Sequence, residues 1–190
     1  MTALEHYIQS YFGVVENEDL QKIVSLFKST TVKKGDLLLQ AGNRCDKLCF
    51  VKTGLLRIIV DKDDKEITQW ISTQGYFTTD LSAFIFNTPA RFTIQALVDS
   101  ELFCISKTDY NLIGTMVPQW HQLEKLFLVK CFISLEERVL SHLSMTAEER
   151  YDTFFENNKE LFNQVPLQYI ASMLGMTPET FSRVRKKRML

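Results

Sequence analysis

The chain has 190 residues, 45% hydrophobic and 24% charged, with a formal net charge of −1, a composition that fits one or two globular domains and excludes a disordered chain. No apolar run approaches the ~18 residues of a membrane span, and the opening stretch MTALEHYIQSYFGVVENED lacks the basic segment and apolar core of a secretory signal. With no such signal, the expected location is cytoplasmic with no membrane partner, and the scattered Cys45, Cys49, Cys104 and Cys131 are expected to be buried thiols rather than disulfides.

In chain order, TALE at 2–5 reads as a capping box that opens a short helix. Residues 17–28 form a second helical pattern, with Leu20, Ile23, Val24 and Phe27 on one face. After Lys28 the period changes. Short runs rich in β-branched and aromatic residues follow at 37–40, 47–51, 55–60, 66–72, 91–97 and 101–106, separated by turn signals at Gly35, Gly42, Gly54, Asp61–Asp64 and Gly75. Evenly spaced short strands of this kind predict an antiparallel barrel, roll or sandwich.

From TDYNLIGTMV onward the pattern is helical again. Residues 119–145 contain no Gly or Pro, and Pro118 can stand at the start of a helix there. Trp120, Leu123, Phe127 and Cys131 form one apolar row, and Leu126, Val129 and Ile133 form another. A helix apolar on two faces contacts its own domain and something more. A matching helix of a second copy is the economical partner, with Trp120, Leu123 and Phe127 assigned to that interface. The alternative is a helix sandwiched within one subunit. A further helix is expected over TAEERYDTFFENN.

The last twenty-odd residues read as two short helices. Pro166 starts the first, which carries Ile170, Ala171 and Leu174 as its apolar stripe, and Gly175 ends it. Thr177 is an N-cap and Pro178 a first helical residue, so a second helix begins at once. Phe181 and Val184 can pack back on the first helix. At ~100° per residue, Glu179, Ser182, Arg183 and Lys186 share the opposite face. An acceptor, a hydroxyl and two cations are what readout of the major groove requires: Glu accepts from cytosine N4, and Arg forks onto guanine. Arg185, Lys187 and Arg188 flank this face and can reach phosphates, and Thr177 is assigned to the DNA-binding set with them. Charge agrees with this. Residues 1–20 hold four acids and no Lys or Arg, whereas residues 177–190 hold Arg183, Arg185, Lys186, Lys187 and Arg188 against Glu179, which points to a polyanion at that end. The bland alternative is a solvated surface hairpin.

Over nearly its whole length the chain resembles the Crp/Fnr family of transcription regulators, with LGMTPETFSRVRK similar to their helix-turn-helix and KKGDLLLQAGNRCDKLCFVKTGLLRIIV similar to their glycine-spaced strands. The resemblance implies an α+β fold: an antiparallel β-roll (double-stranded β-helix or jelly-roll-like), flanking helices, a long dimerisation helix and a C-terminal helix-turn-helix. The domains would be 1–117 (helices and a cyclic-nucleotide-binding-like roll), 118–145 (long helix) and 146–190 (DNA-binding unit). It also implies double-stranded DNA, a homodimer, a small-molecule effector and RNA polymerase as partners, with no catalytic residues. Pro178 replaces an often polar or basic residue, so the target sequence does not carry over. The chain stops at Leu190, leaving at most a stub of the family's β-wing.

The ligand cassette departs from the family pattern. In GYFTTDLSAFIFNTPARFTIQA, Thr79 stands where a glycine normally approaches a phosphate, Asp80 where a glutamate binds a ribose hydroxyl, and Leu81 follows. Arg91 falls one residue late for the phosphate-binding arginine, which in a continuous strand reverses its face unless a bulge near Pro89 intervenes. A cyclic-nucleotide effector is what the resemblance implies. These departures predict that cyclic AMP itself binds weakly or not at all. Ser134 is the one small hydroxyl in the middle of the long helix and the only candidate there for a base contact.

Rivals fare poorly. Cys45 and Cys49 form a C-x3-C pair without the further thiolates of an iron–sulfur site. His6, His121 and His142 have no neighbours that suggest a haem or metal ligand, and no G-x-S-x-G, H-E-x-x-H or Walker motif suggests an enzyme. The remaining alternative is a nucleotide-sensor or protein-interaction module that no longer binds DNA.

Overall fold

The computed structural model describes residues 1–13 and 15–188; Met189 and Leu190, where the wing stub was expected, lie outside them. Helix α1 (Ala3–Phe12) opens on the expected capping box, with Glu5 N donating to Thr2 Oγ1 (3.2 Å) and Thr2 N donating to Glu5 Oε2 (2.6 Å). Helix α2 (Asn17–Ser25) follows and buries Leu20 and Ile23. The strands are β1 (Lys28–Val32), β2 (Leu37–Leu39), β3 (Lys47–Thr53), β4 (Leu56–Lys62), β5 (Lys65–Ser72), β6 (Phe77–Thr78), β7 (Thr93–Ala96) and β8 (Ser100–Ser106), with helix α3 (Leu81–Phe86) between β6 and β7. Helices α4 (Lys107–Met116), α5 (Trp120–Ser144), α6 (Ala147–Asn157), α7 (Leu161–Gln164), α8 (Leu167–Met173) and α9 (Pro178–Arg188) complete the chain. Pro118 sits in the turn before α5, whose N-cap is Gln119.

The expected antiparallel roll is present as two four-stranded sheets, ordered β1-β8-β3-β6 and β2-β7-β4-β5. Val51, Leu56, Ile58, Ile94 and Leu102 form the core between them. Gly54 turns β3 into β4 with φ +103°, and a Cβ there would lie 2.1 Å from Ser100 Oγ, so only glycine fits both the angle and the space. The prediction for the cysteines was half wrong. Cys49 and Cys104 face each other across β3 and β8 and are joined by a disulfide, whereas Cys45 and Cys131 are free. The roll brings together two thiols 55 residues apart, which spacing along the chain did not disclose.

A second core lies outside the roll. Phe12 stacks on Trp120 and Phe127 at ring-centroid distances of 5.1 and 4.8 Å, and Tyr110 meets Trp120 edge-on at 5.3 Å. Each such pair contributes about 0.5–1.5 kcal/mol beyond its burial. The assignment of Trp120, Leu123 and Phe127 to a partner copy is therefore corrected: all three are buried in the chain's own core, between α1, α4 and the roll. Their row was assigned to a partner helix because α1, which covers it, is distant in sequence. The apolar residues left uncovered on α5 are Leu128, Phe132, Leu135, Val139, Leu140 and Leu143, the last 82% exposed, together with Leu126, Val129 and Ile133, the second row read from the sequence.

The C-terminal helices share a third core with the roll. Leu55 and Ile71 pack in one cluster with Tyr151, Leu161, Ile170, Ala171, Phe181 and Val184. Polar contacts fix the docking. Thr68 N donates to Ser172 Oγ (2.9 Å), and the Arg57 guanidinium lies 3.7 Å from the centre of the Tyr169 ring. Arg57 is only 2% exposed, and it also donates to Thr68 Oγ1 (2.9 Å) and Glu66 Oε2 (2.6 Å).

Candidate functional site

Between α1, the roll and α5 lies a cavity of about 940 Å³. Its walls include the aromatic residues Tyr7, Tyr11, Trp70, Tyr76, Phe77 and Phe92, with Thr79, Leu81, Arg91 and Ser134 also lining it. These walls come from elements set by the cores already described: α1 by the Phe12 stack, and Trp70 and Phe77 by β5 and β6.

The cassette residues are arranged differently from the expectation. Asp80 is wholly buried and caps α3, accepting from Ala83 N (3.2 Å), Arg91 N (2.8 Å), Arg91 Nε (3.3 Å) and Arg91 Nη2 (3.0 Å). Both carboxylate oxygens are consumed, and Asp80 is not among the residues facing the cavity. It does not stand free to receive a ribose hydroxyl. Burial alone would raise its pKa, but the hydrogen bonds from Arg91 and Ala83 outweigh it and hold the carboxyl below its ordinary value.

Arg91 is corrected in the other direction. Strand β7 begins two residues later, at Thr93, and the bend at Arg91 follows a loop pinned by Ala90 N to Asn43 O (2.8 Å) and Gly42 N to Ala90 O (2.7 Å). The one-residue offset therefore does not reverse its face. The guanidinium reaches the cavity wall, clamps Asp80 and lies over Phe92 at 4.7 Å, with the side chain 59% exposed. Thr79 turns its hydroxyl away from the cavity, donating to Lys47 O (2.9 Å) beside Cys45 Sγ at 3.2 Å.

Residues of the cavity that the sequence did not mark include Gln69, Trp70, Lys130 and Arg138. In a string such as EERVL, a lone arginine reads as a solvated helix residue, so no local signal distinguished Arg138. Cys131 also lines the cavity, but burial pushes its thiol up to about 11, so it is protonated and a poor nucleophile. No group of acids, histidines and cysteines able to hold a metal occurs among the described residues.

At the far end, α8 and α9 take the geometry read from the sequence. Gly175 adopts φ +69°, and Met176 N bonds back to Ala171 O (2.9 Å). Thr177 Oγ1 accepts from Thr180 N (3.2 Å), capping α9. Phe181 and Val184 are buried, whereas Glu179, Ser182, Arg183 and Lys186 are exposed. Arg185 is half-buried and Thr177 exposed. Lys187, assigned to phosphate, is exposed. It pairs with Glu148 at 2.8 Å, and Arg188 pairs with Asp152, so α6 holds two of the terminal cations. Arg183, Arg185 and Lys186 form no ion pair among the described residues.

Residues 29–113 match the family model of the cyclic nucleotide-binding domain. Among solved structures, FixK2 from Bradyrhizobium japonicum superposes with a TM-score of 0.71 at 17% identity, covering 85% of this chain and 83% of that one. The c-di-GMP-responsive global regulator CLP of Xanthomonas campestris gives 0.65 at 16% identity, with 92% of each chain covered. The regulatory domain of Toxoplasma gondii PKA with cAMP gives 0.54 at 19% identity, covering 58% of this chain. This chain spans 43% of that structure and 40% of a second cAMP-bound one, PfPKA-R. No curated protein sequence matches. Residues 29–113 are thus similar to a cyclic nucleotide-binding domain, and the fold, a two-sheet roll followed by a long helix, is shared with FixK2 and CLP.

Proposed function

We propose that the protein is a dimeric, cytoplasmic, non-catalytic transcription regulator that binds double-stranded DNA through α9 and senses a small molecule in the cavity. The observation that carries this reading is the two-sided α9. Phe181 and Val184 anchor it, while Glu179, Ser182, Arg183 and Lys186 project together into solvent just beyond the Gly175 turn and the Thr177 cap. This is the arrangement of a helix-turn-helix whose second helix enters the major groove. Unit 146–190 would bind DNA, 1–117 the effector, and 118–145 would join two copies.

The dimer reading moves to a new row on α5. Leu128, Phe132, Leu135 and Val139 recur at spacings of four, three and four, the 3.5-residue period of a coiled-coil seam, and all four are exposed. Two α9 helices in such a dimer would address half-sites about 34–36 Å apart. RNA polymerase is a further partner that this reading accommodates.

The effector would be an anion, with Arg91 at the wall. The consumed Asp80 and the turned-away Thr79 oppose the usual ribose-phosphate pose, so cyclic AMP is expected to bind weakly or not at all. Calorimetry showing micromolar affinity would overturn that reading. The ion pairs of Lys187 and Arg188 favour the second reading, a sensor that does not bind DNA. Removing residues 176–190 and assaying binding to genomic DNA fragments separates the two. Loss of binding supports the first reading, and an intact protein that binds no fragment supports the second.

A further inference from the structure

Helix α5 carries a guanidinium that is half-buried and has no carboxylate. Arg138 lies over Trp70, its Cζ 5.2 Å from the ring centroid. It donates through Nη1 to the Gln69 carbonyl and through Nη2 to the Met173 carbonyl (3.1 Å). Among the described residues it has no ion-pair partner, and burial lowers its pKa. A desolvated cation without a counter-ion is costly unless something charged completes it.

The place where something could do so is the cavity, whose wall contains Arg138, Gln69 and Trp70. Lys130 and Arg138 line it with Arg91, which is already paired with Asp80, and the one acid of the wall is Glu137. Lys130, like Arg138, is bonded to a backbone carbonyl, that of Ser10, rather than to a carboxylate. Aromatic rings stand in the same wall, with Trp70 and Tyr76 only 6.0 Å apart between ring centroids. Cations among aromatic rings suit an oxyanion carried on a flat apolar body.

Arg138 also has a second role. Met173 ends α8, so its carbonyl lacks an intrahelical partner, and Arg138 supplies one. The neighbouring Leu174 carbonyl is taken by Arg150 Nε (3.0 Å). One side chain thus joins the cavity wall, strand β5 and the end of the helix that precedes the Gly175 turn.

We propose that Arg138 is an anion-responsive latch: an effector bearing a carboxylate or phosphate on an aromatic body draws its guanidinium into the cavity, frees the Met173 carbonyl and loosens α8 and α9 from the roll. The competition favours the anion, because a hydrogen bond to an ionised acceptor is roughly twice as strong as one to a neutral carbonyl. The effector then shifts the equilibrium by its differential contact with the two positions of one side chain. This rests on the cavity being the effector site, as proposed above, but not on DNA binding.

The test needs no DNA. The chain has two tryptophans, so Trp120→Phe leaves Trp70, beneath Arg138, as the sole reporter. Benzoate, inorganic phosphate and cyclic AMP are titrated in turn against its fluorescence, and amide exchange over residues 167–188 is followed at saturation. The expected result is a saturable response to at least one probe, weakened tenfold or more in Arg138→Gln, with faster exchange at 170–176 on saturation. Arg138→Lys keeps the charge but cannot span both carbonyls, so it should exchange fast there without any probe. No saturable response to any probe, equal affinity in Arg138→Gln, or saturation without faster exchange would overturn the proposal. If Arg138→Gln fails to fold, unchanged exchange in probe-free Arg138→Lys does the same. A protein that latches in this way but binds no DNA fragment would sink only the transcription reading.

Discussion

Replacing Arg91 with Met should cost more than replacing Asp80 with Asn, although Arg91 is the exposed member of the pair. Asp80 is wholly buried and Arg91 59% exposed. Arg91→Met removes two of the four donors that reach the carboxylate and leaves it with the backbone N–H groups of residues 83 and 91. Stranding a buried charge costs about 3–5 kcal/mol, and the two surviving donors place this case near 3. Asp80→Asn keeps one acceptor for the α3 cap and leaves Arg91 to water, so about 1–2 kcal/mol is expected. The double variant should be more stable than Arg91→Met alone.

Urea unfolding at neutral pH measures the difference, and a loss of ~3 kcal/mol corresponds to a fall in Tm of roughly 6–12 °C in a chain of this size. The pH dependence gives an independent check. The folded pKa of Asp80 is depressed, so the unfolded chain binds more protons in the window below the ordinary carboxylate value of ~3.9. The stability from this group is therefore present above that value and lost as pH falls through the folded pKa. In Arg91→Met the guanidinium that lowers the pKa is gone while the two backbone N–H donors remain, so the folded pKa moves up from its depressed value and the acid limb becomes shallower. An Arg91→Met variant within ~0.5 kcal/mol of the parent, or one with an unchanged acid limb, would refute the reasoning.

Phe132→Glu combined with Val139→Glu should yield a folded monomer by sedimentation, and an unchanged sedimentation coefficient would remove the α5 seam from the dimer reading. Arg183→Ala is expected to cost ~1–3 kcal/mol on a preferred DNA site and to relax base preference there; equal loss on random DNA would contradict its role. Glu148→Gln frees Lys187, so DNA binding should tighten and its salt dependence should steepen by about one unit of slope, read from log affinity against log salt. Reducing the Cys49–Cys104 bond should lower stability by up to about 4 kcal/mol from loop-closure entropy alone, and urea midpoints that coincide with and without dithiothreitol would show that the bond does not constrain the unfolded chain.

Local chemistry made much of this molecule legible. Thr2 and Glu5 announced α1, the glycines punctuated the roll, and Gly175, Thr177 and Pro178 fixed the turn and the register that buries Phe181 and exposes Arg183. The failures share a cause, because each depended on what lies across space. Strand β1, reading KSTTV with one buried residue at a sheet edge, shows no alternation and was missed. Strand β6 is two residues long, and α3 was hidden in the cassette. The Trp120 row looked available to a partner until α1 was seen to cover it. Arg91 seemed misplaced because the strand was assumed to include it, and Asp80 seemed free because three of its four donors come from eleven residues away.

The burial of Arg57 bears on how the terminal helices can move. Its guanidinium is covered by Tyr169 of α8, and its ionic partner Glu66 remains 59% exposed. If that helix withdrew, the apolar surfaces of Leu55 and Ile71 would lose their cover, but the cation would regain hydration while keeping its carboxylate. A wholly greasy joint offers no such compensation and would stay shut or aggregate once parted. Mixing a hydratable charge into the contact makes separation and return thermodynamically gentler, the property required of a hinge that must work repeatedly.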